Sequence, residues 1–349
     1  MKALVKPRIN LEGRTALETV IPLSTPYIVF FDPSSACNFQ CTFCPTGHRD
    51  MIRDTGRYQG LLSFDLFQKV IDELELFPEP LRVLRLYKDG EPLLNRRLGE
   101  MIAYAKKSSR VPYVDTTTNV SLLHPLRSDE LIKAGLDKIN ISIDGMNDEQ
   151  YLSFTKTKVR FADIVANVRY FYQNKGNCEV AVKIADNNLT DTDKKRFFDT
   201  FGNIADRIFI ENFAPCWPEF DTEKHTGIKI TKGIYQNEIK EIETCPYIFY
   251  SISINSSGLV SLCFLDWARK LVIGDIGKQT LREVWEGEEL FLHQVAHLSG
   301  DRKKNPTCAA CGQITHCKPD NIDPYAATLL KNLLAHREHK NRSKQVKLA

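Results

Sequence analysis

The spacing of hydrophobic residues along the chain predicts strands and helices in alternation. Short runs rich in β-branched and aromatic residues predict strands. These runs cover residues 27–31, 81–87, 113–118, 138–143, 179–184 and 207–213. Between them, hydrophobic residues recur every three or four positions, as on one face of a helix. The predicted helices cover residues 63–77, 98–107, 128–134, 161–174 and 191–201. Strands that alternate with helices indicate a parallel sheet and an α/β fold.

A different pattern follows the sixth predicted strand. Residues 250–255 and 259–263 predict a β-hairpin with Gly258 in its turn, and residues 281–285 predict a helix. The pattern divides the chain into four predicted regions. They are an N-terminal arm (1–26), a β/α region (27–225), a small C-terminal module (226–322) and a C-terminal helix with a basic tail (323–349).

Three cysteines follow the first predicted strand directly. Cys37, Cys41 and Cys44 have the spacing C-x3-C-x2-C. A structural zinc site usually takes four ligands. Three thiolates instead suit a [4Fe–4S] cluster that leaves one iron open to a small molecule. Ligands of parallel α/β sheets gather at the carboxyl ends of the strands, and this loop lies at such an end.

The predicted C-terminal module contains a second group of cysteines, namely Cys245, Cys263, Cys308, Cys311 and Cys317. Ten cysteines in a chain of 349 residues, several of them in C-x-x-C patterns, favour metal or cluster binding over disulfides. Taken alone, these thiols fit structural zinc as well as an iron–sulfur cluster.

The first cysteine motif, with Phe43 just before its last cysteine, resembles the radical S-adenosylmethionine (AdoMet) enzymes. Six β/α units resemble the core of that family. The implied fold is a partial (β/α)6 barrel of parallel strands with a small C-terminal β-hairpin plus helix Fe–S module. The resemblance also implies that the open iron of the first cluster chelates AdoMet and that Phe43 packs near the adenine.

Further residues are AdoMet-binding candidates by the same resemblance. The family carries a Gly-Gly-Glu-Pro motif that binds the AdoMet amino group, and a carboxylate suits an ammonium group. The matching residues here are Asp89, Gly90, Glu91 and Pro92, with Asp89 in place of the first glycine. Candidates at the ends of strands three to five are Thr118, Asn119, Ser142, Asp144 and Lys183. A turn at the strand end is an equal alternative for Ser142 and Asp144.

The C-terminal module resembles the SPASM and twitch modules that hold auxiliary clusters in these enzymes. Gly258-x4-Cys263 and the later C-x-x-C pair carry the likeness. One auxiliary [4Fe–4S] cluster is implied, with the ligands Cys245, Cys263, Cys308 and Cys311. Cys317 is then a replacement ligand or a thiol near the substrate. Cys216, after the sixth strand, is a hydrogen-atom donor or a buried apolar residue.

The resemblance implies that an electron entering the first cluster cleaves AdoMet to methionine and a 5′-deoxyadenosyl radical, which abstracts hydrogen from a substrate. Small twitch enzymes oxidise or epimerise aminocyclitols and aminoglycosides. We therefore expect a carbohydrate-like small molecule as substrate. The first alternative is a peptide or protein substrate, and the second is a zinc or iron–sulfur binding protein without catalysis.

Charge and hydropathy add little to this picture. A net charge of +3 indicates no strong electrostatic partner. The basic tail alone does not indicate a nucleic-acid-binding surface. No apolar run approaches the ~20 residues of a membrane span, and the N-terminus lacks the apolar core of a signal peptide. We expect a cytoplasmic protein whose partners are AdoMet, its substrate and, by resemblance, an electron donor such as flavodoxin or ferredoxin.

Overall fold

The computed structural model describes residues 1–317 and 320–348, with side chains up to residue 342. Residues 318, 319 and 349, which belong to the predicted C-terminal regions, lie outside the described residues. The strands are β1 Leu4–Val5, β2 Ile28–Phe31, β3 Val83–Leu86, β4 Val114–Thr118, β5 Lys138–Ile143, β6 Glu179–Ala185, β7 Arg207–Glu211, β8 Ser251–Ile254, β9 Leu259–Ser261 and β10 Val272–Asp275. They form one sheet in the order β1-β7-β6-β5-β4-β3-β2-β8-β9-β10.

Strands β2 to β7 are the six predicted strands, and each pairs in parallel with its neighbour. The sheet has edges at β1 and β10, so the barrel is not closed. The predicted partial barrel is confirmed. Because the six strands run in one direction, all of them begin at one end of the barrel, the amino-terminal mouth. All of them end at the side that carries the loop of residues 32–45, called the cysteine loop below.

The helices lie between the strands and after them. They are α1 Arg49–Asp54, α2 Phe64–Glu73, α3 Leu98–Ala105, α4 Pro125–Lys133, α5 Asp148–Thr155, α6 Phe161–Asn174, α7 Asp191–Phe201, α8 Thr222–Thr226, α9 Leu281–Trp285, α10 Glu288–Leu298, α11 Pro306–Ala309, α12 Gln313–His316 and α13 Ala326–Leu348. Helix α4 begins three residues earlier than predicted, since the fixed φ of Pro125 suits the first helical position. Helix α5 was not predicted, and Asn147 caps it by accepting the N–H of Gln150 at 2.8 Å.

The two faces of the sheet differ in what they bury, as strand β2 shows. Phe31 points toward helix α2 and contacts Phe67 with ring centroids 5.0 Å apart, both rings being fully buried. Full burial of one such side chain contributes about 2–3 kcal/mol. Phe30 points the opposite way, into the barrel, and stacks on Phe264 at 4.6 Å. The apolar core therefore lies between sheet and helices, while the inside of the barrel is left for other groups.

The predicted C-terminal hairpin joins the barrel sheet instead of forming a sheet of its own. Strand β8 pairs in parallel with β2, from Ile28 opposite Ser251 to Phe31 opposite Ile254. Strands β9 and β10 continue outward in antiparallel pairing. All four residues of β8 are buried, which is typical of a strand with neighbours on both sides. This pairing places the cysteine-bearing module against the strand that leads into the cysteine loop.

The N-terminal arm reaches the other edge of the same sheet. Its strand β1 pairs in parallel with β7, with Leu4 opposite Arg207. The chain then crosses the amino-terminal mouth of the barrel before it enters β2. Among the described residues, no helix is long and apolar enough to cross a membrane.

Candidate active site

The cysteine loop brings three thiols together at the end of β2. Burial raises the pKa of Cys37 to about 12 and that of Cys41 well above its usual value, and each of these two thiols also senses the charge of Cys44. The pKa of Cys44 is raised as well, again by burial. Buried thiols of this kind keep their protons until a cation compensates the thiolate charge, as iron does on binding. The donor set therefore fits an iron–sulfur cluster.

A glycine lets the predicted AdoMet motif pack directly against this loop. A Cβ atom on Gly90 would lie 2.0 Å from the carbonyl oxygen of Ala36 and 2.4 Å from that of Ser34. Real Cβ atoms do not approach so closely, so only glycine fits without a backbone shift. The next residue, Glu91, donates its N–H to the carbonyl of Ala36 at 3.0 Å. The cysteine loop and the predicted AdoMet motif, which are far apart in sequence, are thus neighbours in the fold.

Glu91 is 2 % exposed and its carboxylate is held from several sides. It accepts the hydroxyl of Thr118 at 2.7 Å and the N–H groups of Asn119 and Leu93 at 2.9 and 3.0 Å. Burial raises the pKa of Glu91 to about 7, and these hydrogen bonds act in the opposite direction. Pro92 follows as the first residue of a 3-10 turn that ends at Leu94. The carboxylate is therefore fixed beside Cys37, and its contact with AdoMet stays a prediction.

Asp89 has partners of its own. Its carboxylate lies 3.0 Å from Lys88 Nζ and 3.7 Å from an Arg57 nitrogen, and it also accepts a hydrogen bond from Arg269. Burial raises the pKa of Asp89, but the three cations outweigh burial and hold it at about 2. Three protein cations thus already surround this carboxylate. The predicted contact of Asp89 with AdoMet stays a prediction.

These charges form a buried network that joins three parts of the site. Asp32 accepts the Asp89 N–H at 3.2 Å and lies 3.8 Å from Arg269. Arg57 donates to the carbonyl oxygen of Trp267 at 2.9 Å. The side chains of Asp32, Arg57, Lys88 and Asp89 are completely buried. The cysteine loop, the AdoMet motif and the segment after Cys263 are therefore tied together by charge.

The candidates on β4, β5 and β6 lie at the carboxyl ends of their strands. Ser142 lies opposite Lys183 in the sheet, and the ammonium of Lys183 is 3.2 Å from Glu211. Asp144 is half-buried beside Cys41, and desolvation raises its pKa to about 6 although Lys183 lowers it. These side chains gather below the cysteine loop, where their predicted AdoMet contacts stay predictions.

Three polar residues of the site were not among the predicted AdoMet contacts. Asn38 lies within the cysteine loop and accepts the Asn119 amide at 2.9 Å, so it links that loop to β4. Thr117 points into the barrel, whereas its neighbour Thr118 points toward Glu91. Arg57 belongs to the polar stretch after the cysteine loop. The period-two alternation of a strand separates Thr117 from Thr118 without saying which of them faces the barrel, and a polar loop gives no comparable signal for Arg57.

The aromatic residue of the cysteine motif packs across the barrel. The ring of Phe43 lies 5.2 Å from that of Phe213, which follows β7. The cysteine loop, which follows the first barrel strand, thus also contacts the segment that follows the last one. The predicted contact between Phe43 and adenine stays a prediction.

The structure also gathers the four cysteines predicted to hold the auxiliary cluster. Burial raises the pKa of Cys245 to about 12 and that of Cys308 to about 11, and Cys311 adds to both shifts. Cys263 senses the other three cysteines. Arg302 donates to the carbonyl oxygen of Cys308 and, at 2.7 Å, to that of Glu243. It links the segments that carry Cys245 and Cys308 and places positive charge beside these thiols.

Cys216 and Cys317 lie next to this set. The thiol of Cys311 is 3.6 Å from the carbonyl oxygen of Cys216. The pKa of Cys216 is raised to about 12 by burial, then by Cys311, and further by Cys44 of the other cysteine group. Cys317 is buried, and its thiol lies 3.1 Å from Gln313 Oε1. Cys216 therefore lies between the two groups of cysteines.

Within the part of the chain that the structure describes, no three His, Cys, Asp or Glu side chains form a group that could hold a single metal ion. The thiols are arranged instead as one group of three on the cysteine loop and one group of four on separate segments that include helix α11. Three and four thiolates are the donor numbers of the two clusters that the sequence implied.

Comparison with known proteins decides the family. A sequence model of the radical SAM superfamily matches residues 32–186, and a model of the SPASM iron–sulfur cluster-binding domain matches residues 245–312. The chain belongs to the radical SAM superfamily and carries a SPASM domain. It is therefore a radical SAM enzyme with an AdoMet-binding [4Fe–4S] cluster and an auxiliary iron–sulfur cluster. The predicted family and its two kinds of cluster are confirmed, and the individual cysteine ligands stay predictions.

The similar proteins carry different activities. An AdoMet-dependent heme synthase from Methanosarcina barkeri is 22% identical, over 87% of this chain and 94% of its own length. A dTDP-4-amino-4,6-dideoxy-D-glucose ammonia-lyase from Streptomyces venezuelae is 30% identical over 46% of this chain, and the match spans 32% of its own length. The crystal structure of Streptococcus suis SuiB bound to precursor peptide SuiA aligns with a TM-score of 0.61 at 14% identity, covering 86% of this chain and 73% of SuiB. That likeness shows the fold.

Proposed function

We propose that this radical SAM enzyme abstracts hydrogen from a hydroxyl-bearing carbon of a carbohydrate-like small molecule and dehydrogenates or epimerises that carbon. When AdoMet is bound at the first cluster and reduced, it supplies a 5′-deoxyadenosyl radical, and the protein supplies binding and orientation. The observation that supports this proposal is the polar lining of the barrel interior.

The barrel interior offers hydrogen-bonding groups that the described residues leave unpaired. The side-chain oxygens of Thr117, Asn140 and Ser253 are buried and have no hydrogen-bond partner among these residues. They come from β4, β5 and β8, so they surround the space enclosed by the sheet. Unpaired buried polar atoms are costly, and a ligand with several hydroxyl groups would satisfy them. The sugar-nucleotide substrate named for the Streptomyces relative is consistent with this class.

The two outcomes place different demands on the protein. In dehydrogenation, the substrate carbon gives a hydrogen atom to the 5′-deoxyadenosyl radical, then loses its hydroxyl proton and one electron to become a ketone. We assign that electron to the auxiliary cluster. In epimerisation, the substrate radical takes a hydrogen atom back from a thiol. That thiol would regain its hydrogen from one solvent proton and one electron, and the auxiliary cluster, when bound, would supply the electron.

Cys216 and Cys317 are the thiols that this proposal assigns to hydrogen donation. Both lie beside Cys311, and Cys216 also senses Cys44. Burial keeps both thiols protonated at neutral pH, since it raises the pKa of each. A hydrogen-atom donor must carry its hydrogen, so this protonation state suits the role.

The test uses anaerobically reconstituted protein with AdoMet and dithionite in deuterated water. Amino sugars and nucleotide sugars are added one by one, with short peptides as the comparison. We expect 5′-deoxyadenosine formation to rise with a sugar, and deuterium at the substrate carbon to report epimerisation. Cys216→Ser and Cys317→Ser then identify the donor. The variant that lacks the donor should still form 5′-deoxyadenosine but should lose the deuterium at the substrate carbon. Stimulation by peptides alone would contradict the proposed substrate class.

A further inference from the structure

A cavity of about 510 Å³ lies at the amino-terminal mouth of the barrel, away from the cysteine loop. Its wall includes the first residues of five strands, which are Ile28, Val83, Lys138, Glu179 and Arg207. Pockets for small molecules commonly occupy ~300–1,000 Å³, so this space is of ligand size. None of the predicted site residues lines this cavity.

The N-terminal arm forms the opposite wall of this cavity. Arg8 crosses into the barrel and lies 3.2 Å from Glu211, while its carbonyl oxygen accepts Lys138 Nζ at 2.7 Å. Arg207 donates to Asn10 Oδ1 at 2.8 Å. These contacts fix the arm across the mouth. The arm is therefore part of the binding wall and not a simple lead into the first strand.

The lining is rich in charge, with cations in excess. Six cations line it, namely Arg8, Arg14, Arg82, Arg85, Lys138 and Arg207. Four acidic residues line it, namely Glu12, Asp115, Glu179 and Asp320. Three of the acids are already paired: Asp115 with Arg85, Glu179 with Lys138 and Arg207, and Asp320 with Arg14. The cations outnumber the lining acids by two, and Glu211 compensates one of these charges through Arg8, so a positive charge remains.

Arg82 is the lining cation whose contacts most clearly leave it available to bind an anion. Its guanidinium lies 3.5 Å from the centre of the Tyr27 ring and donates to Thr15 Oγ1 at 2.5 Å. No carboxylate pairs with it among the residues that the structure describes. A planar guanidinium that is stacked and without a carboxylate is suited to bind a phosphate or carboxylate in two-point fashion.

The inner wall of the cavity offers polar atoms to the rest of a ligand. Asn140 is 3 % exposed, and its side-chain oxygen has no hydrogen-bond partner among the described residues. Arg85 donates to the hydroxyl of Tyr87 at 2.8 Å. Asn140 lies two residues before Ser142 on β5, a distance of about 7 Å along a strand. A molecule anchored at the mouth can therefore extend toward the AdoMet candidates.

We infer that this cavity binds a small hydroxylated molecule through an oxyanion, a phosphate or a carboxylate, with Arg82 as the principal contact. The inference that the cavity binds such a molecule stands on the cavity alone. The inference that this molecule is one end of the substrate rests on the proposed function. The substrate then enters through the amino-terminal mouth, and its reacting carbon lies above Asn140.

The test is isothermal titration of the reconstituted protein without reductant. The probes are glucose 1-phosphate for the phosphate source, glucuronate for the carboxylate source and glucose as the neutral comparison. We expect saturable binding of at least one anion and at least tenfold weaker binding of glucose, because a charged hydrogen bond contributes about 1.5–3 kcal/mol. The anion that binds identifies the source. Equal binding of glucose and the anions, or binding of none of them, would overturn the inference.

Variants locate the site. Arg82→Met should weaken the binding of the anion about tenfold or more, and Arg82→Lys should weaken it less. Both should fold, since Arg82 is exposed. The control is Arg160→Met, whose guanidinium is 76 % exposed and lies outside the cavity. Anion binding that Arg82→Met leaves unchanged would contradict the assigned contact.

A separate assay keeps this inference distinct from the proposed function. This assay measures 5′-deoxyadenosine formation by the wild-type protein with and without added sugars. If sugars fail to stimulate AdoMet cleavage while the anion still binds through Arg82, the proposed function fails and the binding site stands. If sugars stimulate cleavage and Arg82→Met has no effect on binding, the site fails and the proposed function stands.

Discussion

Replacement of Arg269 tests whether the buried charge network ties the auxiliary module to the AdoMet site. Arg269 is contributed by the loop after Cys263, and its side chain is 9 % exposed. It pairs with Asp89, lies 3.8 Å from Asp32 and donates to the carbonyl oxygen of Asp266 at 2.7 Å. Arg269→Met removes the cation and keeps most of the aliphatic volume. Its backbone has a φ of +61°, and methionine meets the same strain there as arginine.

The expected cost follows from burial. Removing one partner of a buried ion pair leaves an uncompensated charge and costs about 3–5 kcal/mol. Lys88 and Arg57 stay near Asp89, which places the expectation near the lower end, at about 3 kcal/mol. Asp89→Asn should also destabilise the protein. In the double variant the two losses should fall short of additivity by about 1–3 kcal/mol, as for residues in direct contact.

Urea unfolding under anaerobic conditions measures these free energies. The matched control is Lys278→Met in the same module, where Lys278 is 81 % exposed and pairs with Asp275 at 2.9 Å on the surface. Exposed pairs contribute about 0–1 kcal/mol, so this variant should stay close to the wild type. If Arg269→Met loses no more than Lys278→Met, or if its loss adds fully to that of Asp89→Asn, the network does not connect the module to the site.

Three further predictions concern the two groups of cysteines and their surroundings. Gly90→Ala should slow AdoMet cleavage about 100-fold in a 5′-deoxyadenosine assay, because its Cβ would meet the carbonyl of Ala36 and displace the motif. An unchanged rate would mean that the two loops can move apart without loss of activity. Asp144→Asn should stabilise the apoprotein by about 3 kcal/mol at pH 8 and leave its stability unchanged at pH 3. Burial raises the pKa of Asp144 to about 6, so ionisation of this carboxyl destabilises the wild-type fold as the pH rises from about 4 to 6. Unfolding curves that shift equally at both pH values would contradict this. Cys263→Ala should lower the bound iron by about half without abolishing substrate-free 5′-deoxyadenosine formation, and retention of all the iron would remove Cys263 from the ligand set.

Much of the fold was predictable because its signals are local. Each barrel strand is a short run rich in β-branched, aromatic or other apolar residues, and each run appears at its expected place. The pairing of β8 with β2 was not predictable, because period-two alternation shows that Ser251–Ile254 is a strand without showing which strand lies beside it. Strand β1 has only two residues, Leu4–Val5, too few for any period to appear. Helix α5 was missed because its apolar residues form no clear stripe.

The candidate site divides in the same way. The cysteine loop and the motif from Asp89 to Pro92 were found because their residues are adjacent in sequence. The charge network was not found, since Asp89 and Arg269 are 180 residues apart and only the fold brings them together. The choice between Thr117 and Thr118 depended on which side of β4 faces the barrel, and sequence alternation alone does not say which side that is.

Reductive cleavage of AdoMet is the measurement that tests the central claim most directly. Wild-type protein, reconstituted anaerobically with iron and sulfide, is incubated with AdoMet and dithionite and assayed for 5′-deoxyadenosine. We expect formation that Cys37→Ala, Cys41→Ala and Cys44→Ala each abolish, while these variants keep the iron of the auxiliary cluster. Undiminished 5′-deoxyadenosine formation in any of the three variants, or a wild-type protein that binds zinc and forms none, would contradict the assignment.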